Sequence, residues 1–305
     1  MSRNPGFVVS RVAVTDVQRL TPSFVRVTLG SPALADFGVD GPLFDQRIKL
    51  LFPPAGGALP DLEQVDGSWY EAWRGLPEAQ RGHLRTYSVR DVVGDGVDTC
   101  VVVDFVLHLV DGDGGPASEW ADRAQIGDEI LLVGPRRGHA GGGIEFAPGD
   151  ADDLLLAGDE TAAPAIARIL ADLPCHATGA AFLEVPLQAD ILPLTAPAGV
   201  EVHWLPRAGA AHGSLLLSAV PAHVGRPDEA LAVEEPDDQI WETPTYSSSG
   251  ETTVPADGIP GLYAWIAGEA ATVTALRRLL VTDLGAARGQ VAFMGYWRQG
   301  AAALG

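Results

Sequence analysis

The spacing of apolar residues changes about halfway along the chain. Before residue 150, short runs of alternating apolar and polar residues are separated by turns rich in Gly, Pro and Asp. This pattern is typical of antiparallel strands. The runs that we predict as strands cover residues 7–14, 23–29, 48–52, 86–89, 100–109 and 129–133. Because no regular helices lie between them, residues 1–150 are predicted to form a small antiparallel β-barrel.

After residue 150, buried strands alternate with helices, which predicts βαβ units and a parallel sheet over residues 151–305. We predict strands at 153–157, 180–185, 200–205, 262–267 and 291–294, and helices at 164–173, 214–220 and 270–280. Residues 225–258 are acidic, rich in Pro, Ser and Thr, and without periodicity. They are expected to form a long, partly mobile loop, either a solvated insertion or a lid.

Composition limits the possible partners. The chain has 305 residues and a net charge of −20, which argues against nucleic acid and anionic lipid. The only two cysteines, Cys100 and Cys175, lack metal-ligand spacing and are expected to be free thiols, with a lone disulfide as the alternative. With no apolar leader segment and no long uncharged run, we expect a cytoplasmic protein without membrane insertion. We also expect a monomer.

The most informative motif is Arg85-Thr86-Tyr87-Ser88. In a strand, Arg85 and Tyr87 share one face, and Thr86 and Ser88 share the other. Tyr87 could stack on a planar ring while Arg85 pairs with an anionic tail, and a hydroxyl could bond the ring edge. These four residues fit a flavin nucleotide, although an ordinary surface strand is the alternative.

A second motif combines a strand with a Gly-rich turn and a helix start. Asp104 and His108 lie in or after the strand, and residues 114–121 read GGPASEWA. The free N–H groups at the start of such a helix form a ready pyrophosphate site, and Ser118 could add its hydroxyl. His108 could bond an adenine, ribose or phosphate group, or be a structural histidine.

Two further junctions lie where predicted parallel strands give way to helices. The first contains Gly158, Asp159 and Thr161, and the second Gly268 and Glu269. Ligands of open α/β sheets bind at such strand ends. Neither junction has the GxGxxG spacing of the dinucleotide fingerprint, but two junctions in one sheet favour a nucleotide site.

Taken together, these motifs resemble the siderophore-interacting protein family, which are flavin-dependent ferric-siderophore reductases of the ferredoxin-reductase-like superfamily. The resemblance runs from about residue 12 to 300 and is weakest over 221–258. It is carried by IKLLFP (48–53), RTYSVR (85–90), DFVLH (104–108), GPASEWA (115–121), GDEILLVGPRRG (127–138), LLLAGDETAAPAIARIL (154–170), HWLPRAG (203–209), WIAGEAATVTALRRLL (265–280) and GYWRQG (295–300).

The resemblance implies an α+β, two-domain, ferredoxin-reductase-like fold, with a Greek-key barrel that binds FAD and an α/β domain that binds NADPH or NADH. Those residues that would bind FAD are Arg85, Thr86, Tyr87, Ser88, Asp104, His108, Ala117 and Ser118. Those that would bind the nicotinamide nucleotide are Gly158, Asp159, Thr161, Gly268 and Glu269. Tyr296 and Trp297 would lie near the flavin or at the nicotinamide position, with core packing as the alternative.

The implied substrate is an anionic ferric siderophore, which a chain of net charge −20 can hold only in a locally basic pocket. We expect Lys49, Arg137 and Arg298 to form that pocket, with Arg136 as a further candidate. Surface ion pairs are the alternative for each arginine. Arg207 could contact the 2′-phosphate of NADPH.

The resemblance therefore implies a reductase that takes electrons from NAD(P)H and reduces ferric siderophore, so that Fe(II) is released. Two other functions remain open from the sequence. One is an NAD(P)H:flavin or quinone reductase of the same fold. The other is a siderophore-binding or iron-delivery protein that is not an enzyme.

Overall fold

The computed structural model describes residues 6–65, 67–107, 115–139, 142–227, 231, 233, 241–244, 246–247 and 258–300. The chain divides into two compact units, with the boundary between Ile144 and Glu145. Within the described ranges, no helix is long and apolar enough to cross a membrane. Cys100 and Cys175 are both free thiols.

The first unit is built on a seven-stranded antiparallel sheet. Its strands are β1 (Phe7–Arg19), β2 (Phe24–Gly30), β3 (Arg47–Phe52), β4 (His83–Ser88), β5 (Asp91–Val93), β6 (Cys100–Val106) and β7 (Glu129–Pro135). Their order across the sheet is β4-β3-β7-β1-β2-β6-β5. Helices α1 (Trp69–Arg74), α2 (Glu78–Arg81) and α3 (Pro116–Arg123) complete the unit.

The sheet curls into a barrel because its two edge strands are neighbours in the chain. Only Val89 and Arg90 lie between β4 and β5, so the opposite edges must meet at this corner. Val89 N–H donates to the Gln46 carbonyl beside β3 at 2.8 Å, and Arg90 N–H donates to the Val102 carbonyl on β6 at 2.9 Å. The corner thus joins both edges by hydrogen bonds.

Alternate residues of the barrel strands point to its interior and form an apolar core. Leu29, Leu50, Val103 and Phe105 are among the side chains with no exposed surface in this core, and α3 adds Ala117 and Ala121. Burial of this apolar surface is the main driving force for the unit's folding. α3 packs against β2, β3, β4 and β6.

A smaller apolar cluster covers the outer face of β3, β4 and β7. It joins Leu51, Leu84 and Leu131 from the strands to Leu62 and Trp73 from the β3–β4 connection. Trp73 lies on α1, and its indole N–H donates to the Arg81 carbonyl at 2.9 Å. The connection between β3 and β4 is therefore packed onto the barrel.

The second unit is an α/β sheet of seven strands. The strands are β8 (Asp153–Gly158), β9 (Thr178–Val185), β10 (Gly199–Pro206), β11 (Trp241–Thr243), β12 (Tyr246–Ser247), β13 (Leu262–Glu269) and β14 (Val291–Trp297), in the order β10-β9-β8-β13-β14-β11-β12. The first five in that order pair in parallel. The helices are α4 (Ala163–Asp172), α5 (Leu216–His223) and α6 (Ala270–Arg277), followed by a π-helical turn, Arg278–Asp283.

The prediction of a loop without regular structure over 225–258 needs correction. β11 and β12 lie within this interval, and β11 pairs antiparallel with β14, so the sheet is mixed rather than wholly parallel. Glu242 of β11 is buried and forms ion pairs with Arg277 and Arg288. These contacts, which depend on residues distant in sequence, stabilise a strand too short to show periodicity.

Candidate functional site

β4 turns Arg85 and Tyr87 towards the barrel interior. In the ladder with β3, Tyr87 lies opposite Ile48 and Arg85 lies opposite Leu50, and both partners belong to the interior core. Residues directly opposite in an antiparallel pair share a face. Thr86 is exposed and lies on the outer face, as the alternation along β4 predicts.

The Tyr87 ring is held by other aromatic rings while staying partly exposed. Its centroid lies 4.5 Å from that of Phe105 and 6.4 Å from that of Phe52. Trp120 of α3 packs on the same group, 5.2 Å from Phe52 and 5.7 Å from Phe105. Burial raises the pKa of the Tyr87 phenol well above its usual range, so this residue is a neutral ring at physiological pH.

Arg85 has a guanidinium group that pairs with no carboxylate among the residues the structure describes. It is half-buried, and its Nη1 donates to the Leu84 carbonyl at 2.8 Å. Most other barrel arginines form ion pairs, for example Arg19 with Asp122. A half-buried cation with unused donors beside a neutral aromatic ring is the donor set that a ring with a phosphate tail requires.

The start of α3 adds a possible anion site to the same unit. Gly115 is its N-cap and makes no side-chain hydrogen bond, while Pro116 occupies the first turn. Ala117 and Ser118 are buried at this end of the helix. A helix start with a glycine cap lets a phosphate approach the backbone amides closely. His108 lies outside the described residues. Arg85, Tyr87 and the α3 start fit a flavin nucleotide.

Asp104 takes part in an ion pair. It is buried, its carboxylate accepts two hydrogen bonds from Arg26 at 2.7 and 2.8 Å, and Arg90 lies 3.6 Å away. The interior residues on either side of it, Val103 and Phe105, show that Asp104 points away from the interior. The ion pair accounts for its burial without a ligand, so its cofactor role stays a prediction.

Lys49 lies on the outer face of β3, opposite Thr86. Its Nζ is 2.6 Å from Thr86 Oγ1. Burial, together with the charge of Arg47, lowers the pKa of Lys49. Among the described residues, the Lys49 ammonium has no carboxylate partner.

The other predicted pocket arginines have different surroundings. Arg137 is exposed, and its Nη2 donates to the Phe37 carbonyl at 3.3 Å. Arg136 forms an ion pair with Asp36, so its charge is largely neutralised. Arg298 belongs to the second unit. The pocket of Lys49, Arg137 and Arg298 therefore stays a prediction.

In the second unit, Asp159 connects the two predicted nucleotide junctions. One carboxylate oxygen accepts hydrogen bonds from the Thr161 N–H at 2.9 Å and from the Thr161 hydroxyl. The other accepts from the Glu269 N–H and the Trp297 indole N–H, each at 2.8 Å. Asp159, Thr161, Glu269 and Trp297 thus meet at the carboxyl ends of β8, β13 and β14, the edge where open α/β sheets bind ligands.

Two glycines allow this close approach. A Cβ on Gly158 would lie 2.4 Å from the Ala162 Cβ and 2.7 Å from the Ala267 carbonyl oxygen. Gly268 has φ +142°, and its Cβ would lie 2.6 Å from the Asp159 carboxylate. Both positions require glycine, and the packing of β8 against β13 explains the requirement without a ligand.

Two carboxylates at this edge, Asp159 and Glu269, have different surroundings. Burial and the neighbouring charge of Glu160 raise the pKa of Asp159 to about 7, against the opposing effect of its hydrogen bonds. Glu269 is the N-cap of α6 and accepts from the Thr272 N–H at 2.9 Å. The protein's own carboxylate thus occupies the start of α6, where a phosphate would otherwise bind.

Sequence reasoning missed a buried ion-pair network next to Asp159. Arg207 donates to both carboxylate oxygens of Glu160, at 2.7 and 2.9 Å, and to Glu184 at 3.2 Å. Glu184 also accepts the Gly213 N–H at 2.7 Å. Arg207, predicted as a ligand of a 2′-phosphate, is therefore engaged by two buried carboxylates. Glu160 lies between Asp159 and Thr161 in the predicted motif, and this position was the only sequence signal.

His212 was also missed. Its Nδ1 is buried without a hydrogen-bond partner in the described part of the chain and lies 4.0 Å from Glu160 Oε1. Burial lowers its pKa. The ring packs edge-on against Trp297 at 5.0 Å. Tyr296, the neighbour of Trp297, instead stacks on Trp241 at 6.1 Å.

Comparison with known proteins decides the family. The profile described as siderophore-interacting FAD-binding domain matches residues 13–139, and the profile described as siderophore-interacting protein matches residues 151–300. The chain belongs to the siderophore-interacting protein family. The family resemblance inferred from the motifs is confirmed.

Several relatives of this siderophore-interacting protein are similar over nearly the whole chain. An uncharacterised protein of Mycobacterium tuberculosis is 36% identical over 94% of this chain and 89% of its own. The crystal structure of a siderophore utilization protein from T. fusca has a TM-score of 0.72 and 32% identity over 98% of this chain and 96% of that one. The ferric vibriobactin reductase of Vibrio cholerae is 28% identical over 92% of this chain and 86% of its own.

More distant structures share the fold alone. A ferredoxin NADP+ reductase from Neisseria gonorrhoeae has a TM-score of 0.55 and 15% identity, covering 95% of this chain and 99% of that one. The predicted two-domain, ferredoxin-reductase-like fold is confirmed. The match to the FAD-binding domain profile and the similarity to the ferric vibriobactin reductase support an FAD-binding oxidoreductase.

Proposed function

We propose that this protein is an FAD-dependent reductase of ferric siderophores that uses NAD(P)H in the cytoplasm. The observation that carries the proposal is the half-buried guanidinium of Arg85, which lies beside the neutral ring of Tyr87. Among the described residues, this guanidinium has no carboxylate partner. In a family with an FAD-binding domain, this donor set on a barrel strand supports a bound flavin.

Three features would hold the FAD. Arg85 would pair with its diphosphate, which prefers the planar guanidinium. The amides of Ala117 and Ser118, at the start of α3, would bind the same anion. Tyr87, fixed by Phe105, would present a neutral ring to the isoalloxazine. When bound, the flavin would accept an electron pair from the nucleotide and deliver single electrons to Fe(III).

The ferric chelate is the substrate, and the protein has to attract an anion against its own net charge of −20. Lys49 would provide local positive charge, because its ammonium contacts the neutral Thr86 hydroxyl and no carboxylate among the residues that the structure describes. The hard oxygen ligands of siderophores hold Fe(III) better than Fe(II). Reduction therefore favours release, and the protein needs to bind and orient the chelate without acting as an acid or base.

An anaerobic assay tests this function. The purified protein is mixed with FAD, NADH or NADPH, and a ferric siderophore, while flavin absorbance and capture of Fe(II) by a chelator are followed. We expect bleaching of the flavin, followed by Fe(II) capture in proportion to the nucleotide consumed. Bleaching without Fe(II) would favour the flavin or quinone reductase. Siderophore binding without bleaching by either nucleotide would favour a binding protein.

A further inference from the structure

The two nicotinamide nucleotides differ by one 2′-phosphate, which a protein recognises with an available cation. In open α/β sheets the group facing the adenosine ribose lies after the second strand of the unit, with an arginine nearby where the phosphate is accepted. Here β9 is the second parallel strand, and Glu184 lies near its end. Arg207 follows the adjacent strand β10.

Arg207 is unavailable to such a phosphate. It is only 8% exposed, and Glu160 occupies both of its terminal nitrogens while Glu184 takes a further bond from Nη1. Glu184 is in turn fixed by the N–H groups of Leu215 and Leu216 at 3.0 and 3.2 Å. To meet a phosphate, the guanidinium would have to leave two buried carboxylates without their cation, which is unfavourable.

The surroundings offer little replacement charge. Residues 145–303 contain seven arginines and no lysine, against 21 aspartates and glutamates. Among these arginines, Arg168 pairs with Asp172, and Arg277 and Arg288 pair with Glu242. A dianionic 2′-phosphate at the edge near Glu160 would therefore meet net negative charge.

We propose that the electron donor is NADH rather than NADPH, and that Glu160 is the positioning residue that sets this preference by neutralising Arg207. The inference rests on the proposed function, because it assumes that the second unit binds a nicotinamide nucleotide. The uncharged 2′-hydroxyl of NADH can bind without a free cation, so Arg207 can keep its ion pairs. Glu160 itself need not touch the nucleotide, because it acts through the guanidinium.

The first test uses the unmodified protein and measures binding rather than turnover. Calorimetric titrations compare NAD+ with NADP+, and 5′-AMP with 2′,5′-ADP, so that the members of each pair differ only by the 2′-phosphate. We expect the ligand without the 2′-phosphate to bind more tightly by about tenfold in each pair, which corresponds to about 1.4 kcal/mol. Tighter binding of NADP+ and 2′,5′-ADP would overturn the inference while leaving the proposed function intact.

The second test releases Arg207 with Glu160→Gln, which leaves Glu184 as its carboxylate partner. We expect the KM for NADPH to fall about tenfold, the worth of one charge-assisted hydrogen bond, with kcat unchanged and the KM for NADH nearly constant. The double variant Glu160→Gln/Arg207→Gln should lose this gain. Glu201→Gln, which removes an exposed carboxylate on β10, is the matched charge control and should leave the NADH preference unchanged.

The outcomes separate the two ideas. An unchanged NADH preference in a folded Glu160→Gln variant, or an equal gain in the double variant, contradicts the role of Glu160. If Glu160→Gln does not fold, the titrations of the unmodified protein still decide the preference. If neither nucleotide binds but chemically reduced protein still reduces the chelate, nicotinamide donation fails, and the NADH preference fails with it.

Discussion

Arg85 and Arg207 both lie in motif segments, yet their surroundings differ. Arg85 donates to one backbone carbonyl, whereas Arg207 is engaged by Glu160 and Glu184. An arginine without a carboxylate partner can bind an anionic ligand at little cost, while one in a buried ion pair has to break existing bonds first. This difference decides which motif arginine can act as a ligand-binding cation.

Replacement of Arg85 tests its role without disturbing the core. Arg85→Gln should weaken FAD binding by about tenfold to a hundredfold, the usual worth of a charge-assisted hydrogen bond, while the free energy of unfolding hardly changes. Titration of the apoprotein with FAD, followed by flavin fluorescence, measures the first quantity, and urea unfolding measures the second. Arg123→Gln, an exposed member of a pair with Glu119, is the control and should leave FAD affinity intact. Unchanged affinity in Arg85→Gln would remove Arg85 from the flavin site.

Asp159 gives the second unit a specific pH dependence. Its pKa is raised from 3.8 to about 7, so between these values the folded state holds a proton that the unfolded state does not. The contribution of Asp159 to the free energy of unfolding must therefore rise as pH falls through this window, and fall as pH rises to about 7. Asp159→Asn removes this contribution.

Urea unfolding at several pH values measures the effect as the difference between the unmodified protein and Asp159→Asn. Asparagine keeps only one acceptor oxygen, so it cannot accept both from Thr161 and from the Glu269 and Trp297 N–H groups, and the variant should be less stable throughout. The difference should be larger near pH 5 than near pH 7.5. A difference that does not change with pH would mean that Asp159 keeps an ordinary pKa in the folded protein.

At the scale of elements, the sequence predicts those strands whose burial follows a local period. The alternation along β4 correctly indicates that Arg85 and Tyr87 share a face. β5 has only three residues, and it exists because the corner at Val89 and Arg90 brings the sheet edges together. Such a strand depends on the curling of the sheet and leaves no periodic signal of its own.

The candidate site follows the same rule. The strand-to-helix junctions at Asp159 and Glu269 can be predicted, because they depend on the local change from strand to helix. The ion pairing of Arg207 cannot be predicted from the sequence, because its partners Glu160 and Glu184 come from the ends of other strands. Sequence indicates where a charged group lies along the chain, and the packing of separate strands determines whether it remains available.

The attachment of β11 depends on one carboxylate. Glu242 lies within ion-pair distance of Arg277 and Arg288, and its side chain is only 3% exposed. Glu242→Gln leaves two partly buried guanidinium groups without this partner, so we expect a loss of about 3 kcal/mol in the free energy of unfolding. Urea unfolding measures this loss. Amide hydrogen exchange should be faster in β11 and β14 of the variant than in the unmodified protein. Glu201→Gln serves as the exposed control; an equally small effect in both variants would show that the ion pairs do not hold the strand.

At the scale of the whole molecule, charge is unevenly distributed. The net charge is −20, but Lys49, Arg85 and Arg137 of the first unit have no carboxylate partner within the described ranges. Long-range repulsion of an anionic chelate therefore opposes short-range attraction at these cations. Salt screens the first effect more strongly, because the Debye length is about 30 Å at 0.01 M and about 10 Å at 0.1 M ionic strength.

The two effects can be separated by their salt dependence. The association rate constant of an anionic ferric triscatecholate should increase from about 0.01 M to about 0.1 M salt, as the repulsion is screened, whereas that of an uncharged ferric trihydroxamate should stay constant.

Lys49→Ala should weaken equilibrium binding of the catecholate and leave the flavin spectrum unchanged, because Lys49 lies on the opposite face of β3 and β4 from Arg85 and Tyr87.

Stopped-flow mixing with intrinsic fluorescence gives the rate constants. The Lys49→Arg variant keeps the charge and should bind the catecholate nearly as tightly as the unmodified protein. In Lys49→Ala, the association rate constant should increase more steeply with salt than in the unmodified protein, because the long-range repulsion is no longer opposed by the attraction of Lys49. A rate constant that falls with salt in the unmodified protein would mean that the basic residues dominate the field, so that the chelate is attracted from a distance. A changed flavin spectrum in Lys49→Ala would place Lys49 in the cofactor site instead.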